Sequence, residues 1–108
     1  MKIYISLPIS GRNLPDAVKE AATVEDIILA KGHTPINPFK VHPGTGTDYA
    51  DYLCADLRAL FDADAILMLP GWGHSKGCHI EHEVAVTFDK RIFYIKCRKT
   101  HRSLACGM

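Results

Sequence analysis

Three features of the sequence predict a single α/β domain built on a short parallel sheet. Short apolar runs alternate with segments of helical period in the order βαβαβαβ. The run Ala65-Ile66-Leu67-Met68-Leu69 contains no polar residue, as expected of a strand covered on both faces. A length of 108 residues leaves room for one core and not for two. Right-handed crossovers between parallel strands then put helices on both faces of the sheet.

Each element has its own signal. Lys2 to Ser6 alternates Ile3 and Ile5 with Tyr4 and predicts the first strand, followed by a turn over 7–12. Asn13 offers a helix cap and Pro15 suits a first-turn position. Ala17, Ala21, Val24 and Ile28 then recur at helical spacing until Gly32. Thr34 to Asn37 predicts a short strand, and Pro35 assigns it to a sheet edge. Residues 38–47 carry two prolines and two glycines without periodicity and predict a long loop. Residues 48–63 predict a helix with Leu53, Leu57 and Leu60 on one face. After the strand at 65–69 comes a tight loop over Pro70 to His74, and Ser75 caps a helix running to about Phe88. Arg91 to Ile95 predicts a fourth strand. The domain is therefore expected over 1–96, with a polar, irregular tail over 97–108.

The arrangement is three-layered and flavodoxin- or Rossmann-like, with four or five parallel strands. Ligands of such sheets bind beyond the carboxyl ends of the strands, near the switch in strand order. Residues 6–12, 37–48 and 70–81 should meet there. So small a sheet also predicts a homo-oligomer, a dimer or larger, that covers an exposed helix face.

Bulk properties narrow the function classes. The net charge of +1 gives no reason to expect a nucleic-acid polymer or an anionic membrane as partner. No run of about 18 apolar residues is present, and Met1 to Ser6 lacks the pattern of a signal peptide. The cysteines Cys54, Cys78, Cys97 and Cys106 form neither a CxxC pair nor a framework spacing and read as reduced thiols. A cytoplasmic location is expected.

The sharpest local pattern is Ser75-Lys76-Gly77-Cys78-His79-Ile80-Glu81, directly after a strand and loop. Gly77 permits close backbone approach, and Ser75 offers a hydroxyl beside free backbone N–H groups. Glu81 lies close enough to the positive helix end to favour its ionised form, which a carboxylate nucleophile requires; it equally fits simple dipole pairing. Asp56 borders the leucine face of its helix. Half-buried, it would hold a proton at neutral pH; solvated, it would pair with Arg58 or a lysine. Tyr4 faces away from Ile3 and Ile5, either packing or donating a hydrogen bond to a carboxylate. Cys78 and His82 have a chelating spacing, yet no second pair completes four ligands, and no metal or other cofactor is expected. The loop Pro43-Gly44-Thr45-Gly46-Thr47 lacks the lysine and spacing of a phosphate-binding loop. Trp72, in a Gly-rich loop, either stacks on a base or closes the core.

Tyr4-Ile5-Ser6-Leu7-Pro8-Ile9-Ser10-Gly11, Gly32-His33, Ile36-Asn37-Pro38, Ala63-Asp64-Ala65-Ile66, Gly71-Trp72 and Ser75-x-Gly77-x3-Glu81 together resemble a small bacterial and phage family, DUF4406. That family is similar to nucleoside 2-deoxyribosyltransferases and 2'-deoxynucleoside 5'-phosphate N-hydrolases. The resemblance implies that Glu81 attacks the anomeric carbon, Asp56 assists departure of the base and Tyr4 positions the nucleophile. It also implies a substrate-binding set of Ser6, Pro8, Ser10, Gly11, Asn37, Trp72, Ser75 and Gly77, with Ser75 matching a phosphate-contacting serine. Where the N-hydrolases carry a serine and an arginine for the 5'-phosphate, this chain has Pro8 and Ser10, leaving Arg12 or Lys76 as replacements.

Two functions follow as expectations. One is cleavage or transfer of the N-glycosidic bond of a 2'-deoxynucleoside or its 5'-monophosphate. The other is a non-catalytic protein that binds a nucleotide or nucleotide-sugar in the same pocket. Either way the partner is a small molecule.

Overall fold

A computed structural model describes residues 1–41, 48–96 and 105–106. Its framework is a sheet in the order β2-β1-β3-β4-β5: β1 (Lys2–Ser6), β2 (Thr34–Ile36), β3 (Ala65–Met68), β4 (Arg91–Lys96) and β5 (Ala105–Cys106). The first four strands are parallel, and β2, with Pro35, lies at the edge as predicted. The fifth runs antiparallel to β4, pairing Cys106 with Ile95, so a part of the polar tail extends the sheet. Residues 97–104, 107 and 108 lie outside the described residues, as do 42–47, which include the Gly-Thr loop.

Helix α1 (Leu14–Ala30) begins where its sequence signals say. The Asn13 side chain accepts a hydrogen bond from the backbone N–H of Asp16, and Pro15 occupies the first turn. The buried residues of α1 are Ala17, Ala21, Val24 and Ile28, the stripe read from the spacing. Gly32, at φ +82°, takes the left-handed conformation that turns the chain towards β2. Helix α2 (Tyr49–Asp62) starts at a reciprocal cap. Asp48 accepts from the Asp51 N–H at 2.9 Å, and Asp51 accepts from the Asp48 N–H at 3.2 Å. Of its three leucines, Leu60 is fully buried, while Leu53 and Leu57 are half-buried. Helix α3 (Lys76–Thr87) is capped by Ser75. Pro38–Lys40 forms a short 3-10 turn in the segment read as loop, because the Asn37 side chain accepts from the Phe39 N–H.

Strand alternation divides the interior in two. Ile3, Ile5, Leu7, Ala65, Leu67 and Leu69 pack with the buried stripe of α1. Tyr4, Ile66 and Met68 face the other way and pack with Leu60 of α2 and Cys78 and Ala85 of α3. The strand order reverses between β1 and β3, which pair from Ile3–Ala65 to Ser6–Met68. The loops leaving these strands meet at that reversal: a Cβ on Gly71 would stand 3.4 Å from Pro8 Cγ.

Candidate active site

Side-chain alternation in β1 puts Tyr4 and Ser6 on the same face, two residues apart and one layer below α3. Both reach Glu81. The Tyr4 hydroxyl donates to Glu81 Oε2 at 2.8 Å, and the Ser6 hydroxyl donates to Oε1 at 2.6 Å. Tyr4 is 0%, Ser6 1% and Glu81 5% exposed, so the carboxyl group is held in the interior with an acceptor bond on each oxygen.

Burial pushes the Glu81 pKa up, and the hydroxyls of Ser6 and Tyr4 pull against that shift. This differs from the reason read in the sequence. Glu81 is the sixth residue of α3, beyond the first turn where the helix dipole acts most strongly. What support its charged form has against burial comes from two hydroxyl donors of β1.

Asp56 is half-buried in α2. Burial, and then the charge of Glu81, raise its pKa to about 7. Among the described residues it forms no ion pair and no side-chain hydrogen bond, so the reading of a solvated acid paired with Arg58 does not hold. Tyr4 feels both acids: burial, Glu81 and Asp56 all drive its hydroxyl well above the ordinary range, keeping it a donor. Burial likewise raises Cys78, beside the same cluster.

The other predicted residues surround this cluster unevenly. Ser75 caps α3, its hydroxyl accepting from the Cys78 N–H at 3.3 Å. Gly77, in the first turn of α3, leaves room for the Tyr49 hydroxyl, which would stand 3.3 Å from a Cβ there. Pro8 meets Gly71, while Ser10 and Gly11 are exposed in the first loop. Asn37 is buried, and its carbonyl oxygen is occupied in capping the 3-10 turn. Trp72 packs against the second core, and its ring stacks on His82 at a centroid distance of 4.4 Å. Of the two readings of Trp72, closure of the core describes its position. Arg12 donates to the Pro8 carbonyl oxygen and pairs with Glu20 at 2.7 Å, whereas Lys76 is exposed and unpaired among the described residues. His82 Nε2 is taken by the Tyr94 hydroxyl at 2.8 Å. Among the described residues no three His, Cys, Asp or Glu side chains converge as a metal site.

Sequence reasoning put Ser6 among substrate contacts, but its hydroxyl is directed at Glu81. The signal was present: a strand that aims Tyr4 at a carboxylate aims Ser6 the same way.

The cluster therefore holds two carboxyl groups, Glu81 and Asp56, both with pKa values raised by burial. No helix among the described residues is long and apolar enough to cross a membrane. A search of curated proteins gives no match. Among solved structures, a 2-desoxiribosyltransferase from Leishmania mexicana shares the fold, with a TM-score of 0.62 and 20% identity over 87% of this chain. The chain spans 63% of that protein's length. Residues 1–94, from before β1 to Tyr94 in β4, match the domain of unknown function DUF4406, and the chain belongs to that family.

Proposed function

We propose that this chain cleaves or transfers the N-glycosidic bond of a 2'-deoxynucleoside or its 5'-monophosphate, with Glu81 as nucleophile and Asp56 as proton carrier. The observation that carries the reading is a buried carboxyl group held on both oxygens by Tyr4 and Ser6, beside the half-buried Asp56, whose pKa burial and the Glu81 charge raise. The name of the Leishmania neighbour, a deoxyribosyl-transferring enzyme, supports the same class of substrate.

The chemistry needs little else. As the bond between C1' and the base nitrogen breaks, its electron pair leaves with the base, and protonated Asp56 supplies the proton that makes the base neutral. Positive charge grows on the sugar, and the Glu81 carboxylate closes on C1' to form a glycosyl-enzyme. A deoxy sugar lacks the electron-withdrawing 2'-hydroxyl, so this cation forms more readily. Water or a second base then attacks C1', gives its proton to ionised Asp56 and frees Glu81. Tyr4 and Ser6 fix the carboxylate without taking a proton from it. Of the two cations Arg12 and Lys76, Arg12 is already paired, whereas Lys76, beside Ser75, is unpaired among the described residues and open to a 5'-phosphate.

The test is release of free base from each deoxynucleoside and its monophosphate. Release by the wild type, abolished in Glu81→Ala while binding survives, is expected. Tight binding without turnover by the wild type would replace the enzyme with a nucleotide-binding protein.

A further inference from the structure

Trp72, which the sequence allows either to stack on a base or to close the core, has its ring on His82 and packs on the core. A different aromatic side chain stands open at the same end of the sheet. Tyr49, the first residue of α2, is 61% exposed. Its hydroxyl reaches across to the first turn of α3, resting where a Cβ on Gly77 would be 3.3 Å away.

Helical spacing relates this contact to the acids. Tyr49 and Asp56 are seven residues apart, about two turns and about 10 Å along one face of α2. Gly77 and Glu81 are four residues apart, about 6 Å along one face of α3. The two helices pack side by side, both starting at the carboxyl ends of the strands. Tyr49 and Gly77 thus lie at the starts of the two helices, and Asp56 and Glu81 one to two turns further along them.

From this geometry, and resting on the reading of the Glu81–Asp56 cluster as a nucleoside site, we propose that Tyr49 is the wall on which the base stacks and Gly77 the position that admits it. Asp56, on the same face of the same helix, then lies on the base side of the sugar, where the leaving nitrogen needs its proton. Glu81, from the neighbouring helix, lies on the sugar. An exposed tyrosine ring offers a flat apolar surface at small conformational cost. Stacking of this kind is tolerant of base identity and scales with ring overlap, so purine deoxynucleosides should bind more tightly than pyrimidine ones.

Titration calorimetry with the four common 2'-deoxynucleosides, their 5'-monophosphates and 2-deoxyribose 5-phosphate tests this without requiring turnover. Tyr49→Ala should weaken the deoxynucleosides roughly ten- to a hundredfold, narrow the gap between purines and pyrimidines, and leave the base-free sugar phosphate unchanged. Tyr49→Phe should keep wild-type affinity, because the ring and not the hydroxyl carries the stack. Phe61→Ala, which removes an exposed aromatic at the far end of α2, should also leave affinity unchanged. Unaltered deoxynucleoside affinity in Tyr49→Ala would overturn the assignment, as would equal weakening of the base-free ligand. Failure of the wild type to release base while it still binds deoxynucleosides would count against the enzymatic reading alone, and the affinities would still judge Tyr49. Failure of the wild type to bind any deoxynucleoside or its 5'-monophosphate would overturn both.

Discussion

The two faces of the sheet are made from the same strands, yet they are built for different ends. Towards α1 the packed cluster is made of apolar side chains: Ile3, Ile5 and Leu7 meet Ala17, Ala21, Val24 and Ile28. Towards α2 and α3 the same β1 offers Tyr4 and Ser6, and the helices answer with Glu81 and the half-buried Asp56. Burying a carboxyl group costs free energy that hydrogen bonds only partly return. The first face holds the fold, and the second spends part of that stability on a poised pair of acids.

The largest effect that could break this contrast comes from exchanging the kind of damage done to each face. Ile28→Ala removes a fully buried side chain from the α1 face and should lower stability by about 2–5 kcal/mol, read as a fall in denaturant midpoint. The fraction still folded should release base at close to the wild-type rate. Glu81→Gln should do the reverse: base release falls at least about a thousandfold, with no comparable loss of stability. If Ile28→Ala slowed base release as much as it lowered stability, the division of labour between the faces would be wrong.

A smaller effect concerns Asp56 and pH. Its pKa rises on folding from 3.8 to about 7, so between these values the folded chain binds more protons than the unfolded one. Stability linked to Asp56 is therefore greatest on the acid side and falls as pH rises through that window. Asp56→Asn should flatten this slope and raise the melting temperature at pH 8, while base release becomes slow at every pH. In the wild type, base release should decline above about pH 7 as Asp56 loses its proton. A wild-type stability that rose steadily from pH 4 to pH 7 with no change in Asp56→Asn would remove the acid from the interior.

How much of this was legible without coordinates differs between the same two faces. The α1 face could be read almost residue by residue, because an apolar stripe at helical spacing has one sensible destination and Asn13, Pro15 and Gly32 mark its ends. The second face could be read only in outline. Alternation put Tyr4 opposite Ile3 and Ile5, but nothing local says which helix brings a carboxylate to it. Glu81 and Tyr4 are 77 residues apart, and their meeting depends on the crossover that lays α3 over β3 and β4, next to β1. The ionisation of Glu81 was traced to the helix end because that signal is local, whereas the hydroxyls responsible are remote in sequence. Trp72 shows the same limit from the other side: its neighbours His82 and Tyr94 come from α3 and β4, and only tertiary packing turns an open-looking loop aromatic into a packed one.

The finest distinction between the faces rests on a single hydroxyl. On the α1 side the packed cluster is made of apolar side chains. Ser6 is different, since its hydroxyl supports the charged form of Glu81 at 2.6 Å. Ser6→Ala removes one of the two donors that hold the Glu81 pKa down against burial, so that pKa must rise. The nucleophile is then protonated over a wider acid range, and the acid limb of the kcat/KM profile should move upward by about one pH unit. The basic limb, set by Asp56, should move little. The rate near neutrality should fall only modestly, because Tyr4 still donates to the other oxygen. An acid limb that stayed in place, with activity lost evenly at all pH values, would mean that Ser6 serves packing or substrate contact and not the charge state of Glu81.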